Sequence, residues 1–282
     1  MYDLKVKNDK GDVLNLTGNR KYSVYKITGL NPPKATINSS VNTTTDGSSI
    51  NSVRLDNRNI VIYIALEGDI EVNRINLYKY FPIKKPVTLY FTNGTREVYI
   101  EGTVELIECD LFVKRQVAQI SIICNKPYFK AVDSLITSFG DINSLFEFPF
   151  SIGKAGIEFS AITVNQRKSI INAGDVETGV IIELFSVGTV VNPILYNVFT
   201  GEQMALNFTM ETSDKIVINT NVGEKAITLI RNGVSYNAMG YMTPDSVWFE
   251  LQSGDNVFTY DATEGTGNLQ ITFTTSLLYG GV

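Results

Sequence analysis

The sequence predicts a mainly β protein with two domains: an N-terminal β-sandwich with one α-helix and a long arm loop, then a C-terminal β-sandwich. Three observations predict this fold class. The chain has 282 residues, which is long enough for two ordinary domains that each bury a core. Apolar and polar residues alternate with period two in many short segments. Turn sequences separate these segments at regular intervals in the second half, as in a sandwich or barrel.

The composition argues against most catalytic and nucleic-acid-binding classes. The chain has no histidine, the usual general base and the commonest metal ligand near neutral pH. Its two cysteines, Cys109 and Cys124, are too few for a thiolate zinc site or a disulfide framework, and we expect a reducing compartment. The net charge of -5 argues against nucleic-acid binding, which needs basic residues to neutralise the phosphates. We therefore expect no enzymatic activity, no cofactor and no bound metal.

We expect neither secretion by a signal peptide nor membrane insertion. Met1 to Asp9 has no apolar core of the kind that signal peptides contain. The longest apolar run, Ile60 to Leu66, is far too short to cross a bilayer. Charged residues make up only 19% of the chain, which suggests that partners cover part of its surface.

The first half contains three strand patterns before its helix. Tyr2, Leu4 and Val6 alternate with charged residues, which predicts a half-buried strand. A second strand is predicted at Tyr22 to Thr28. Asn59 to Leu66 carries β-branched and aromatic residues on both faces, which predicts a central strand between two layers.

The strongest helix pattern covers Ile70 to Phe81. Asp69 is the predicted N-cap, Glu71 places an acid in the first turn, and Pro82 ends the helix. An apolar face that should pack on the sheet is formed by Ile70, Leu77, Tyr78 and Phe81.

A β-hairpin is predicted after the helix. Asn93-Gly94 separates the apolar segments Val87 to Phe91 and Arg96 to Val104, and Asn-Gly is the strongest short hairpin signal. The rest of this half is predicted as strands at Leu106 to Phe112 and Ala118 to Cys124 and as an irregular connection at Lys130 to Asn143.

The second half is predicted to consist of short strands without a convincing helix. Turn sequences such as Asn232-Gly233 and Ser253-Gly254-Asp255 separate the segments. The predicted strands are Leu145 to Ile152, Gly156 to Asn165, Gly179 to Ser186, Pro193 to Asn197, Met204 to Met210, Lys215 to Asn219, Ala226 to Arg231, Val247 to Leu251, Val257 to Tyr260 and Asn268 to Thr274.

A long polar segment interrupts the first half from Asn31 to Asp56. It is rich in Pro, Ser, Thr, Asn and Gly, and loops of this length inside compact domains are functional or disordered. An arm that becomes ordered against a partner and a mobile loop are both compatible with this composition.

The first 130 residues resemble the distal tail proteins of bacteriophages with long, non-contractile tails (siphophages). The segments that carry the resemblance occur in order and are Gly29 to Asn38, Asp46 to Ser48, Arg58 to Val61, Gly68 to Arg74, Leu77 to Phe81, Val98 to Gly102, Gln119 to Cys124 and Pro127 to Phe129. The second half is similar more loosely, through Asn192-Pro193, Thr200 to Glu202 and Leu251 to Asn256.

This resemblance implies a structural virion protein of the tail tip or baseplate hub, assembled in the host bacterial cytoplasm. Residues 1–130 would form a tail-tube-like domain that builds a homohexameric ring, and residues 131–282 a sandwich like galectins or carbohydrate-binding modules. The ring would join the tail tube protein to the tail-tip or tail-fibre protein, support host adsorption and often carry receptor-binding proteins. DNA would only pass through its lumen.

A closed ring needs two unlike surfaces on each subunit, and the arm is our candidate for one of them. The interface residues that we predict in and next to it are Pro32, Pro33, Asn38, Asp46, Gly47, Arg54 and Arg58. Glu101 and Glu105 are candidates for the lumen, where negative charge would keep DNA from adhering.

A lectin-like module that binds host cell-wall saccharide is the alternative function. Its candidate residues are Trp248, the only tryptophan, and Glu250, which alternation places on the same strand face. A loop or a partner could equally cover Trp248. Galectin-type sugar sites also rely on a histidine, which this chain lacks.

A glycosidase with paired carboxylates is a third hypothesis, which needs no histidine. Acids cluster at Glu101, Glu105, Glu108 and Asp110, and again at Glu67, Asp69 and Glu71. Acidic clusters in strands more commonly form a solvated face, and that is our interpretation.

Overall fold

A computed structural model describes residues 2–41, 43–44, 46–113, 115–139, 141–144, 160–163 and 167–282, with the backbone alone for 141–144 and 160–163. The chain divides into two compact units. The first contains Met1–Val132 and Leu278–Val282, and the second contains Asp133–Leu277. The last five residues of the chain therefore belong to the first unit.

One β-sheet, one α-helix and one separate hairpin build the first unit. The sheet has the strand order β2-β1-β7-β8-β9-β6-β3, all antiparallel, and a separate two-stranded hairpin is formed by β4 and β5. The elements are β1 (Asp3–Lys7), β2 (Val13–Asn15), β3 (Tyr22–Thr28), β4 (Ala35–Val41), β5 (Ser48–Leu55), β6 (Arg58–Leu66), α1 (Ile70–Tyr80), β7 (Pro86–Thr92), β8 (Glu97–Cys109) and β9 (Val117–Cys124).

Alternation of side chains explains how the sheet encloses a single core. Strand β6 pairs with β3 on one side and β9 on the other, which confirms its predicted central place. Ile60, Ile62 and Ile64 are buried in the core, whereas the alternate residues Asn59, Val61 and Tyr63 are exposed or partly exposed. The prediction of burial on both faces is therefore wrong for most of the strand, and on the second face only Ala65 is buried. Its β-branched outer residues suit a pleated surface without being buried.

The predicted helix is confirmed as α1. The side chain of Asp69 accepts a hydrogen bond from the Val72 amide at 3.4 Å, and Phe81 caps the C-terminus. The buried residues of this segment are Asn73, Leu77 and Phe81, whereas Tyr78 is exposed. The polar groups of buried Asn73 are satisfied by hydrogen bonds. Its side-chain amide donates to the Glu67 backbone carbonyl at 2.6 Å, and its backbone carbonyl accepts from the Tyr22 hydroxyl.

The Asn93-Gly94 hairpin is also confirmed, with β7 and β8 paired from Pro86↔Thr103 to Thr92↔Glu97. The Asn93 side chain accepts from the amides of Thr95 and Arg96, which fixes the turn. The region predicted as an irregular connection forms a strand instead, β10 (Phe129–Phe139). The prediction missed this strand because its composition is polar, and all but two of its residues are exposed or partly exposed.

Two antiparallel sheets form a sandwich in the second unit, and β11 and β12 form a separate two-stranded sheet. One has the order β22-β14-β18-β19-β20, and the other has the order β13-β21-β15-β16 with β17 beside β15. The strands are β11 (Asp141–Ser144), β12 (Ser160–Thr163), β13 (Arg167–Asn172), β14 (Ile181–Ser186), β15 (Val190–Asn197), β16 (Gln203–Ala205), β17 (Thr209–Met210), β18 (Lys215–Asn219), β19 (Ala226–Arg231), β20 (Val234–Asn237), β21 (Gly254–Glu264) and β22 (Leu269–Tyr279), with short 3₁₀ turns at Met239–Tyr241 and Thr266–Asn268.

The two sheets of the second unit share one apolar core. Phe273 of the first sheet meets Phe258 of the second with ring centroids 5.0 Å apart, and Phe249 packs on Phe258. Val247 to Leu251, predicted as a strand, runs without regular pairing, and only Leu251 forms an isolated bridge, to Thr178. Alternate residues of this segment, Phe249 and Leu251, are buried in the core, which gives the segment the apolar alternation of a strand.

A paired charge holds one end of β18 and β19 together. Asp214 is buried and receives two hydrogen bonds from the Arg231 guanidinium, 2.8 Å from Nε to Oδ1 and 2.5 Å from Nη2 to Oδ2. Asp214 also accepts from the Glu211 amide at 2.8 Å. Hydrogen bonding from Arg231 lowers the pKa of Asp214.

Not every prediction falls on described residues. The predicted strand at Leu145 to Ile152 lies outside them, and the one at Gly156 to Asn165 is described only over β12. Together the described residues confirm the predicted fold class, which is mainly β with a single α-helix. None of their helices is long and apolar enough to cross a membrane.

Candidate functional site: the arm and its base

The most prominent surface feature of the first unit is the hairpin of β4 and β5, which we call the arm. The sequence predicted a loop here, but residues 35–55 pair in register from Ala35↔Leu55 to Val41↔Ser48, with a bulge after Asn38. All its described side chains are exposed or partly exposed, and none belongs to the buried core. The arm is thus an ordered ribbon without a core of its own.

Cross-strand register makes the arm amphipathic. Ile37 lies opposite Val53, and Ser39 lies opposite Ile50. Because alternate residues of a strand share a face, Ile37, Val41, Ile50 and Val53 all lie on one face. These four side chains are between 57% and 79% exposed.

The opposite face of the arm is polar. Its cross-strand hydrogen bonds join Asn38 to Ser52 at 3.0 Å, Thr36 to Asp56 at 2.5 Å and Ser40 to Asn51 at 3.3 Å. A two-stranded hairpin is marginally stable in water by itself. An apolar face that nothing in its own unit covers therefore indicates a surface that packs against another molecule.

A single buried arginine organises the base of the arm. Arg58, only 3% exposed, donates from Nη1 to the carbonyls of Gly29 at 2.5 Å and Asn31 at 2.8 Å. It donates from Nε to the Pro127 carbonyl at 2.7 Å and from Nη2 to the Gly280 carbonyl at 2.6 Å. Burial lowers the pKa of Arg58, with the Cys124 thiol acting in the opposite direction.

The Phe129 ring lies 4.6 Å from the Arg58 guanidinium carbon, within cation–π distance. Arg58 thus ties three parts of the first unit together: the start of the arm, the segment that leads into β10, and the tail of the chain. Sequence reasoning named Arg58 as an interface residue, but its side chain lies in the interior. Its position at the start of a central strand was the signal available in the sequence.

The tail, Leu278–Val282, is held by further contacts within the first unit. Arg96 donates from Nη1 to the Gly281 carbonyl at 2.6 Å, and its guanidinium carbon lies 4.3 Å from the Tyr279 ring centroid. The Val282 amide donates to the Leu30 carbonyl at 3.2 Å. The tail is therefore anchored directly beside the root of the arm.

Gly29 shows why the root needs a residue without a side chain. Its φ of +85° lies in the left-handed region, and a Cβ there would come within 2.1 Å of the Asn59 carbonyl oxygen. Only glycine accepts both conditions, so the chain can turn tightly against β6 before it enters the arm.

A groove of about 510 Å³ lies in the first unit next to the arm root. Strand β1 and the segment after β2 form one wall, and β3 forms the other. Its lining combines apolar and polar residues, and includes Tyr2, Leu4, Tyr25 and Phe91 together with Thr17, Lys26, Thr28 and Asn31. Among the described residues, β3 pairs only with β6, so its other edge offers unpaired backbone groups.

A second exposed apolar surface lies at the turn between β8 and β9. Phe112 at its tip is fully exposed, with Leu111 and Val113 beside it. The outer face of α1 adds exposed Val72 and Ile75 to the apolar surface of this unit. We call Leu111, Phe112 and Val113 the apolar turn.

Known proteins similar to this chain help to interpret these surfaces. Residues 173–276, within the second unit, match the family model described as Siphovirus-type tail component, C-terminal domain. The resemblance to the siphophage distal tail proteins is confirmed. No curated protein matches the sequence.

Similar solved structures cover the whole chain. The crystal structure of SPP1 Dit protein, described as a paradigm of hub adsorption apparatus in Gram-positive infecting phages, matches with a TM-score of 0.67 at 12% identity, over 97% of this chain and 99% of that chain. Two structures of the phage P2 baseplate in its activated conformation also match. The structure with Ca has a TM-score of 0.52 and the structure with Sr a TM-score of 0.51, each at 12% identity over 98% of both chains. At 12% identity, these matches show that the chain shares the fold of these proteins and nothing more. The arm lies outside the residues that the family model matches.

The remaining predicted interface residues lie on or next to the arm. Asn38 and Arg54 are exposed on its strands, and Asp46 and Gly47 are exposed at its tip. Pro32 and Pro33 lie in the segment that leads into it, where the tail glycine Gly281 approaches Pro32 closely. The prediction had selected polar residues of the arm and missed its apolar face. The alternation of Ile37 and Val41 with polar residues was the signal available.

Glu101 and Glu105 are exposed on the outer face of β8, and Glu105 accepts a hydrogen bond from Ser121 at 2.9 Å. Glu101 borders a groove of about 220 Å³ that Lys126 and Lys130 also line. The charge around Glu101 is therefore mixed. A lumen position for these acids stays a prediction.

Trp248 is half-buried against the core of the second unit, and the Lys225 ammonium lies 5.7 Å from the centre of its ring. The core and the Lys225 side chain therefore cover part of the Trp248 ring surface that would stack on a sugar. Glu250 is partly buried. The described residues contain no cluster of His, Cys, Asp and Glu that could hold a metal ion.

Proposed function

We propose that this chain is the distal tail subunit of a siphophage, a structural protein that forms a homohexameric ring at the tail tip. The ring joins the tail tube protein to the tail-tip or fibre protein and supports host adsorption. It assembles in the host bacterial cytoplasm and can carry receptor-binding proteins on its second unit. The distal-tail-protein fold over nearly the whole chain supports this role.

The single observation that carries the ring is the uncovered apolar face of the arm. Burying an aliphatic side chain contributes roughly 1.5 kcal/mol or more. Four such side chains on one face therefore provide a substantial association energy that the isolated chain leaves unused. A ribbon on one side of the subunit and an acceptor elsewhere are the two unlike surfaces that a closed ring requires.

Single substitutions on the two faces of the arm test this proposal. Ile37→Asp places a charge on the apolar face, and Asn38→Asp places the same charge on the neighbouring residue of the polar face. We expect wild type and Asn38→Asp to sediment as hexamers at high concentration. Ile37→Asp should weaken association by about two orders of magnitude. Burying a carboxylate against an apolar surface makes the free energy of association less favourable by roughly 3 kcal/mol.

Circular dichroism should give the same β content for both variants, because neither position is in a core. Wild-type protein that stays a single chain at high concentration, together with normal tail tips on virions that lack it, would overturn the proposed function. Equal association of the two variants would show that the apolar face takes no part in the ring.

Saccharide binding is the second candidate function, and one groove in the second unit favours it. It measures about 430 Å³ and lies on the outer face of the sheet of β15, β16 and β21. Its lining includes the apolar and aromatic side chains of Ile194 and Tyr196 and the polar side chains of Asn192, Asn207 and Asp261. Planar polar side chains around an aromatic ring suit sugar hydroxyls and a pyranose face.

A glycan array of bacterial cell-wall saccharides, probed with wild type and Tyr196→Ala, tests this second function. We expect binding that Tyr196→Ala removes and that Trp248→Phe leaves unchanged. Absence of binding by wild type, or loss of binding through Trp248→Phe alone, would contradict the assignment to this groove.

A further inference from the structure

We propose that the groove beside Tyr196 in the second unit binds a chain of uncharged sugars and discriminates against sugars that carry phosphate. This inference rests on the second candidate function, saccharide binding, and names the class of saccharide that the groove takes. The length of the groove, the groups that line it and its charge all support this class.

Cross-strand register places the groove residues side by side on one face of the sheet. Ile194 lies opposite Asp261 of β21 and opposite Ala205 of β16. Tyr196, two residues further along β15, lies opposite Gln203. Because residues that lie directly opposite each other share a face, all five side chains lie on the outer face, where each is at least partly exposed. An aromatic ring, aliphatic groups and polar groups are therefore accessible together.

The groove is long enough for several linked sugar rings. Its lining follows β15 from Asn192 to Tyr196, a distance of about 13 Å at 3.3 Å per residue. A single pyranose ring is much shorter than this distance. The groove volume of about 430 Å³ is typical of sites that bind small molecules. An oligosaccharide therefore fits the groove better than a monosaccharide.

The Asp261 carboxylate is held at one oxygen and open at the other. Its Oδ1 accepts from the Ala262 amide at 2.8 Å and from the Thr266 hydroxyl at 3.0 Å. Its Oδ2 has no hydrogen bond or ion pair with the described residues, and the side chain is exposed. A hydrogen bond from a hydroxyl to an ionised acceptor is stronger than one between neutral groups. Asp261 thus offers a partly fixed, charged acceptor to sugar hydroxyls.

The charge of the groove disfavours anionic sugars. Asp261 is the one charged residue of the lining, which contains no lysine or arginine over the part of the chain that the structure describes. The other polar side chains of the lining, such as Asn192, Asn207 and Thr243, are neutral. A phosphate a few ångströms from the Asp261 carboxylate would be repelled, and partial exclusion of water strengthens that repulsion. An uncharged sugar meets no such repulsion.

A basic residue on the same face of the sheet, Arg167 of β13, lies outside the groove. Arg167 lies opposite Thr259, and Thr259 lies opposite Tyr196. Two strand spacings, roughly 10 Å, therefore separate Arg167 from Tyr196. A phosphorylated sugar would have to bind through Arg167, whereas an uncharged sugar would depend on Asp261. The two classes of ligand can thus be distinguished by the residue that each requires.

Matched pairs of oligosaccharides test the inference. Neutral oligosaccharides of glucose, galactose, rhamnose and N-acetylglucosamine are compared with the same oligosaccharides bearing glycerol phosphate, and the Kd of the full chain is measured for each. We expect wild type to bind at least one neutral chain about tenfold or more tightly than its phosphorylated form. A phosphorylated form that binds equally or more tightly would overturn the inference and leave saccharide binding in place. Absence of binding to all of them would contradict the second candidate function and this inference together.

Substitutions of charged residues assign the selectivity. Asp261→Asn keeps the size of the side chain, and it should weaken binding of the neutral chain about tenfold and reduce the preference over the phosphorylated form to about threefold or less. The matched control is Glu264→Gln, which removes an acid of the same strand that does not line the groove. It should bind as wild type does, and so should Arg167→Gln. Equal affinities of Asp261→Asn and Glu264→Gln, or weaker binding in Arg167→Gln alone, would overturn the inference.

Ala205→Leu tests the position of the sugar by volume alone. The hydrogen bonds of Ala205 with the Ser246 hydroxyl use its backbone amide and carbonyl, so the substitution leaves them in place. We expect Ala205→Leu to lose binding to every saccharide while circular dichroism shows an unchanged β content. Binding retained within about twofold of wild type would place the sugar outside this groove and overturn the inference.

Discussion

Replacing Arg58 by alanine is expected to lower the free energy of unfolding of the first unit by about 3 to 5 kcal/mol. The substitution removes four hydrogen bonds to backbone carbonyls and the contact with the Phe129 ring. Buried carbonyls that lose their donor keep the cost of having left water. Urea denaturation of the full chain, followed by circular dichroism, measures the change.

Two further variants make the Arg58 result specific. Arg54→Ala removes an exposed arginine of the arm and should change stability by no more than about 0.5 kcal/mol. Arg58→Lys keeps the charge, but three N–H groups on one nitrogen cannot serve four carbonyls, so its stability should lie between the other two. Equal midpoints for Arg58→Ala and Arg54→Ala would mean that water replaces the guanidinium at no cost.

The same substitution should loosen the arm root and the tail together. Arg58 contacts Gly29, Asn31 and Gly280, so its loss should raise amide hydrogen exchange at residues 29–34 and 279–282 in parallel. Faster exchange at the tail with an unchanged root would show that the two segments are held independently.

Replacing Asp214 by alanine is expected to destabilise the second unit by about 3 kcal/mol at neutral pH. Arg231 would lose its bidentate partner, and the Glu211 amide would lose its acceptor. The matched control is Glu183→Gln. The Glu183 carboxylate lies 2.7 Å from the Lys215 ammonium, but both side chains are more than a third exposed, whereas Asp214 is buried. We expect that control to cost no more than about 1 kcal/mol.

The Asp214 effect should depend on pH in a defined direction. Hydrogen bonding from Arg231 lowers the pKa of Asp214 below its ordinary value of 3.8, so the folded state favours the charged carboxylate. The stabilisation is fully present above that ordinary value and is lost as the pH falls through the lowered pKa. The stability difference between wild type and Asp214→Ala should therefore be constant near neutrality and shrink below about pH 4. A difference that grows on acidification would contradict this linkage.

Local sequence signals predicted the elements that depend on neighbouring residues. The Asp69 cap, the Pro82 stop and the Asn93-Gly94 turn act over three or four residues, and all three are where the sequence placed them. The central place of β6 followed from its β-branched and aromatic composition. Predictions based on polarity alone failed at β10 and at the arm, since exposed strands contain few apolar residues.

The candidate site illustrates the limit of sequence reasoning. The arm was recognised as an interface from its length and composition, but its amphipathic character depends on the register of β4 with β5 and on one bulge. A shift by one residue would move every side chain of a strand to the other face. Composition contains no information about such a shift.

The sequence by itself determined the mainly β class, the single helix, the main hairpin and a resemblance to distal tail proteins. Only the tertiary structure decided that the tail returns to the first unit, that Arg58 lies inside, and that four aliphatic side chains share one uncovered face. The reason is the range of the interactions. Arg58 binds carbonyls 27, 29, 69 and 222 residues away, and contacts so distant are set by how the whole chain folds.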